Sequence, residues 1–339
     1  MLRVAVDAMG GDHAPVEIIR GVLDATRQAK DLQVFLVGRQ DIIRRCLGQE
    51  ICRKQVTRIT IVHADEVIGN NEDPGLAIRR KKGSSMVAAL QLARSGKVDA
   101  VLSAGSTGAL MAGGLLFLGR LGGIKRPALL VEFPASREGS VVILDVGANM
   151  DAKPEHLFQY AQMGKVYTQE IVGIPDPRVA LLNVGVEEKK GNTKIKQAYQ
   201  LFKENRSFNF VGNIEAKQLF QNKTDIIICD GFVGNVLLKA YEGLSKDIYT
   251  YLLDEIRKNP QAAAMVLPSL QKMFTKLDES EYGGAMLIGV NGICIKCHGA
   301  SKRRAVSQAL LKRAYLFARK RTNHKIEKEL KQVPKEVLG

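Results

Sequence analysis

The sequence predicts an α/β protein, three α/β/α layers built on a mostly parallel, doubly wound sheet. Three observations carry this. Short β-branched runs alternate along the chain with stretches in helical rhythm. The runs are continuously apolar, as in strands buried on both faces. They break into clusters of Gly, Asn, Asp and Ser: Val4-Ala-Val-Asp7 into Gly10-Gly-Asp12, Val101-Leu-Ser103 into Gly105-Ser-Thr-Gly108, and Val141-Val-Ile-Leu144 into Asp145-Val-Gly-Ala-Asn149. Leu181-Leu182 likewise meets Asn183-Val-Gly185, and Ile226-Ile-Ile-Cys229 meets Asp230-Gly-Phe-Val-Gly-Asn235. In open α/β sheets ligands bind outside the carboxyl ends of the strands, so these loops are expected to converge on one site.

The elements follow in order. Residues 3–8 read as a strand, 16–30 as a helix with Ile18, Ile19, Val22, Leu23 and Ala25 in rhythm, and 33–37 as the next strand. A helix at 40–47, a strand at 59–62, a helical stretch at 76–95 broken near Gly83, and a strand at 100–103 continue the alternation. Such βαβ repetition places helices on both faces of a parallel sheet. Residues 236–277 differ. They read as two long helices joined near Asn259-Pro260, the second carrying Ala262-Ala-Ala-Met-Val-Leu267 and interrupted by Pro268. Residues 292–296 then alternate like a strand and lead to His298-Gly299. The organisation expected is one α/β/α domain over 1–325, with a helical protrusion at about 236–277, and a basic tail over 326–339.

With 339 residues and 45% hydrophobic content the chain can bury a large core. No apolar stretch approaches the roughly 20 residues of a membrane span, and no signal-peptide pattern precedes the first strand, so the expected compartment is the cytoplasm. Five cysteines, an odd number, point to reduced thiols. The net charge of +15 calls for an acidic partner: nucleic acid, an anionic membrane or an acidic protein. It gathers at Arg79-Arg-Lys-Lys82, at Lys302-Arg-Arg304 and along 312–331, each of which could equally be a solvated helix face. Nucleic acid would call for aromatics within these patches, yet aromatics make up 6% of the chain.

A Walker A motif, a G-x-G-x-x-G after a strand and a G-x-S-x-G elbow are all missing, which weakens nucleotide and hydrolase readings. What remains is a set of loops rich in backbone N–H groups, offering Lys190, Asp230, Asn235, Lys296 and His298. Each alone marks a turn; repeated at strand ends they suit an oxyanion or phosphate. Other features have plainer readings. Cys294 and Cys297 on a strand point to opposite faces, unlike a redox or zinc pair. His13 could meet ligand or cap a helix, Asp7 suits a turn-stabilising carboxylate, and Ser84-Ser85 suits a helix cap.

Taken in order, Asp7-Ala-Met-Gly-Gly-Asp12, Arg80-Lys-Lys-Gly-Ser-Ser85, Ser103-Ala-Gly-Ser-Thr-Gly108, Leu144-Asp-Val-Gly-Ala-Asn149, Lys190-Gly-Asn192, Phe210-Val-Gly-Asn-Ile-Glu215, Cys229-Asp-Gly-Phe-Val-Gly-Asn235 and Lys296-Cys-His-Gly299 closely resemble the bacterial phosphate acyltransferases of phospholipid synthesis. These are also called acyl-acyl carrier protein:phosphate transacylases. The resemblance runs from residue 1 to about 310. It implies transfer of a fatty acyl group from acyl carrier protein to inorganic phosphate, giving acyl phosphate, without a cofactor or resident metal. It also implies an isocitrate/isopropylmalate dehydrogenase-like fold, a homodimer, and loose peripheral contact with an anionic membrane or its glycerol-3-phosphate acyltransferase. Ser106 stands where the family usually has Asn, Val186 where Glu is usual, and Lys302 where an acidic or amide residue is common.

On this reading phosphate, largely dianionic near neutral pH, attacks the thioester itself, and the site supplies orientation and oxyanion donors. The catalytic set expected is Lys190 for phosphate charge, His298 for the oxyanion or leaving sulfur, and Asp230 to orient them. Asp12, Ser106, Thr107, Asn149, Asn192, Asn235 and Lys296 are the expected substrate-binding residues. Arg79, Arg80, Lys302 and Arg303 are expected to meet the carrier. The apolar segment 262–267 with Met273, Phe274, Lys258, Lys272 and Lys276 resembles an amphipathic anchor, though a dimer core would show the same pattern. Two rivals compete: a metal- and NADP-dependent decarboxylating dehydrogenase of the same fold, which needs a carboxylate cluster, and a nucleic-acid-binding protein.

Overall fold

The computed structural model describes residues 1–48, 57–134, 139–258, 260–277 and 283–333. Eleven strands form one sheet in the order β3-β2-β1-β4-β11-β10-β5-β6-β9-β7-β8. They are β1 (Leu2–Asp7), β2 (Leu32–Gly38), β3 (Ile59–His63), β4 (Ala100–Ser103), β5 (Ala128–Pro134), β6 (Ser140–Leu144), β7 (Arg178–Asn183), β8 (Asn209–Glu215), β9 (Ile226–Ile228), β10 (Ala285–Ile288) and β11 (Ile293–Lys296). The helices are α1 (Val16–Gln28), α2 (Gln40–Gly48), α3 (Pro74–Arg80), α4 (Ser85–Arg94), α5 (Thr107–Gly113), α6 (Pro154–Tyr167), α7 (Thr193–Glu204), α8 (Gly231–Arg257), α9 (Pro260–Leu277), α10 (Arg303–Gln308), α11 (Tyr315–Arg319) and α12 (Thr322–Leu330).

Period-2 alternation sorts the strand side chains into two cores, one on each face. Along β5, Ala128 and Leu130 enter one core while Leu129, Val131 and Phe133 enter the other. The first core is covered by α1, α2, α6, α7, α10, α11 and α12, the second by α3, α4 and α5 with Leu237, Leu238 and Tyr241 of α8 packed on it. This is the three-layer α/β/α arrangement expected. Cys294 lies in one core and Cys297 in the other, as the strand spacing implies.

Sheet direction departs from a simple doubly wound pattern. The β10–β11, β10–β5 and β5–β6 pairings are antiparallel, while the other pairings are parallel. Three reversals make β6, β9, β7 and β8 run opposite to β3, β2, β1, β4 and β11. The carboxyl ends of the two halves therefore open at opposite edges of the sheet, and the glycine loops form two groups instead of one.

Two further differences concern the helices. α9 continues through Pro268, which is exposed, so the carbonyl its ring displaces can turn to solvent. The basic C-terminal stretch shows the solvated helix face expected, with Lys312, Arg319, Lys320, Arg321, Lys328 and Lys331 exposed, but its other face packs: Arg313, Ala314, Phe317, Ile326, Leu330 and Val333 are buried, and packed chain runs past residue 325. No helix among the described residues is long and apolar enough to cross a membrane.

Candidate active site

The loops after β1, β4 and β11 are stitched together by short-range geometry. Asp7, buried at the end of β1, accepts from Ser103 Oγ at 2.7 Å and from the Met9 N–H at 3.2 Å, and Ser103 Oγ in turn accepts from the Gly105 N–H at 3.0 Å. Burial pushes the Asp7 carboxyl above its ordinary range against these donors. Asp7 thus organises the turn. Gly10 fills the space between: a Cβ there would stand 2.5 Å from Asp7 Oδ2 and 2.7 Å from the Gly105 nitrogen. The Asp12 N–H donates to the Gly299 carbonyl at 2.8 Å, joining the β1 loop to the β11 loop.

These loops form one wall of a cavity of about 390 Å³. Asp12, Thr107, Lys296 and His298 line that wall; Leu129, Val131 and Phe133 of β5 form the floor; Asn235, Leu238, Lys239 and Glu242 of α8 face them. Lys296 is buried at the end of β11, its ammonium donating to the Cys297 carbonyl. His298 Nδ1 accepts from the Ala300 N–H at 3.1 Å. That acceptor role assigns the proton of the neutral ring to Nε2. Glu132 also borders the cavity. Burial pushes its carboxyl up, but the Arg313 guanidinium at 2.6 Å, with Ser140 and Tyr167, holds it below the ordinary range.

The opposing wall is set by the loop after β6. Asp145 accepts from the Leu129, Gly147, Ala148 and Asn149 N–H groups at 2.9, 3.2, 2.9 and 2.7 Å, and from Asn149 Nδ2 at 3.1 Å. The start of α8 presses on this loop, the Gly231 N–H donating to the Asn149 carbonyl at 2.8 Å. One turn later Asn235 reaches the cavity.

Of the residues singled out in the sequence, Asp12, Thr107, Asn235, Lys296 and His298 line this cavity. The others do not. Asn192 and Asp230 cap α7 and α8, accepting from the Ile195 N–H at 3.0 Å and the Val233 N–H at 2.8 Å. Ser106 caps α5 through the Ala109 N–H at 3.4 Å. Asn149 donates to the Pro127 carbonyl at 2.6 Å. Lys190 is exposed in the loop after β7, its carbonyl accepting from Asn183 Nδ2 at 3.1 Å. The expected meeting of Lys190 and Asp230 with His298 is thus not formed within this chain, because β7 and β9 run opposite to β11.

Ser84 is a helix cap, accepting from the Val87 N–H at 3.4 Å, and burial pushes the Cys294 thiol up to about 12. Lys239, Glu242 and Asn70 went unnoticed in the sequence. A signal was there for two: Asn235, Leu238, Lys239 and Glu242 recur at i, i+3, i+4 and i+7, one face of a helix. Among the described residues no group of three His, Cys, Asp or Glu side chains is placed to hold a metal ion.

A family model described as fatty acid synthesis protein matches residues 2–323. The phosphate acyltransferase of Heliobacterium modesticaldum is 47% identical over 312 residues, covering 91% of this chain and 92% of that one. That of Brevibacillus brevis is 46% identical over 334 residues, covering 98% of each. The chain belongs to the phosphate acyltransferase family. Among solved structures, a phosphotransacetylase from Streptococcus pyogenes superposes with a TM-score of 0.62 at 14% identity, covering 94% of both chains. A branched-chain phosphotransacylase from Enterococcus faecalis gives 0.55 at 14% identity, covering 94% of this chain and 100% of that one. At that identity these two show a shared fold, and the family membership rests on the sequence relatives.

Proposed function

We propose that the protein transfers a fatty acyl group from acyl carrier protein to inorganic phosphate, releasing acyl phosphate and the free carrier thiol. The observation that carries this reading is the division of one cavity into a polar wall, with Lys296, His298 and Thr107, and an apolar floor, Leu129, Val131 and Phe133. A thioester with a long acyl chain needs both. Family membership supports acyl transfer to phosphate.

In this reading the chain lies on the β5 floor and the thioester carbonyl faces the polar wall. Lys296 and Asn235, from opposite walls, hold the phosphate dianion, whose oxygen attacks the carbonyl carbon. The Nε2–H of His298 donates to the oxyanion of the tetrahedral intermediate. Collapse breaks the carbon–sulfur bond, and the departing thiolate, with an ordinary pKa of about 8.5, takes up the proton that the attacking hydrogen phosphate gives up. Incubating the protein with palmitoyl-acyl carrier protein, with and without phosphate, tests the proposal. Acyl phosphate should form only with phosphate present; phosphate-independent release of fatty acid would make the protein a thioesterase instead.

The implied dimer and membrane contact find support in the α8–α9 hairpin, which leaves Leu244, Ile248, Tyr251, Met265 and Met273 exposed. A self-association face along α8 and a lipid-facing end on α9 complete the proposal.

A further inference from the structure

We propose that the outer face of α3 and α5 is the docking surface for the acidic carrier protein that delivers the acyl thioester, an inference resting on the acyl-transfer reading above. The two helices lie side by side. A Cβ at Gly108 would stand 2.7 Å from the Pro74 ring, and one at Gly113 would stand 3.1 Å from Ile78 Cδ1. The cavity lies at this end of the pair: Thr107, the first residue of α5, and Asn70, four residues ahead of α3, line it. Away from it, α3 exposes Leu76, and the π-turn that follows α5 (Gly114–Leu118) exposes Leu115 and Leu116, the last at 51%.

Cations rim this apolar strip. Arg79, Arg80 and Lys82 are exposed, and none of the three forms an ion pair among the described residues. Lys81 differs, bonded to Glu72 at 2.7 Å. In the 302–304 cluster Arg303 is already paired: its guanidinium grips both oxygens of Asp24, and its backbone N–H donates to Glu17 at 3.0 Å. Three exposed cations without ion pairs among the described residues therefore cluster at the C-terminal end of α3. An apolar centre with an open cationic rim suits an acidic helical protein, steering encounter electrostatically while the apolar contact holds it. α5 spans about 10 Å at 1.5 Å per residue, so a carrier seated on this face stands one short helix from the polar wall.

The test compares two acyl donors, octanoyl-acyl carrier protein and octanoyl-N-acetylcysteamine, which has the same thioester without the protein. The R79E/R80E variant should raise KM for the carrier donor about tenfold or more at low salt, abolish its salt dependence, and leave kinetics with the small donor within twofold of wild type. Leu116→Glu should act in the same direction. An unchanged carrier KM, or equal losses with both donors, would overturn the proposal while the acyl-transfer reading stands. A change in the sedimentation mass of Leu116→Glu would assign the strip to self-association and also overturn it. No acyl phosphate from either donor in the wild type would overturn both.

Discussion

Gly234 approaches Asp145 so closely that a Cβ on it would stand 1.9 Å from the Asp145 carbonyl oxygen. This contact fixes where α8 starts and hence where Asn235 meets the cavity. Gly234→Ala must push the helix off the loop. The expected result is a loss of about 1–3 kcal/mol, as for other overpacked sites, with a fall in turnover that exceeds the loss of folded protein. Urea midpoints and single-turnover rates on the same sample check it; wild-type stability would show that the helix start is adaptable.

His298→Ala is expected to slow turnover by roughly a hundred- to a thousandfold with little change in KM for phosphate, as removal of an oxyanion donor does. Lys296→Ala should chiefly raise KM for phosphate. Steady-state kinetics at varied phosphate separate the two. A Lys190→Ala variant with an equally large phosphate effect would mean that the opposite sheet edge reaches the site, through a second copy of the chain.

Val131 lines the cavity floor, so a larger side chain there extends into the proposed acyl bed. Val131→Phe should shift selectivity toward shorter acyl chains. Each methylene denied burial is worth about 0.8 kcal/mol, roughly fourfold in kcat/KM. Competition between decanoyl and palmitoyl carriers measures it, and an unchanged ratio would place the chain elsewhere.

The Glu132–Arg313 pair predicts a pH dependence of stability. A carboxyl held below its ordinary 4.5 in the folded state contributes fully above that value, and the contribution is lost as pH falls through the folded value. Glu132→Gln leaves buried Arg313 without its counter-charge and should cost about 3–5 kcal/mol near pH 7. The gap between wild type and variant should close below pH 4.5. Urea midpoints from neutral to acid pH follow it; a gap independent of pH would mean that Glu132 acts through packing alone.

Val266, exposed on α9 with Lys272 on the same helix, tests the membrane proposal. Val266→Asp should weaken binding to anionic liposomes while soluble turnover persists. Loss of the self-associated form in that variant would assign the position to a protein interface.

Local pattern was enough for much of this protein. The apolar runs of β1, β4, β6 and β9, the glycine turns after them, the pair of long helices expected at about 236–277 and the opposite faces of Cys294 and Cys297 all follow from periods of 2 and 3.6 residues, which need no distant partner. β5 passed unread although Ala128-Leu-Leu-Val-Glu-Phe-Pro134 is a plain apolar run, and it forms the cavity floor. Strand direction, in contrast, belongs to pairs. Nothing within β10 or β5 states that each runs against both its neighbours, yet those reversals send Lys190 and Asp230 to one edge of the sheet and bring Lys296 and His298 to the other. Arg313 makes the same point: it belongs to a basic stretch, and burial became tolerable because Glu132, 181 residues away, lies against it. Periodicity is written in neighbouring residues, whereas direction, convergence and charge compensation are decided by contacts that exist only once the chain has folded.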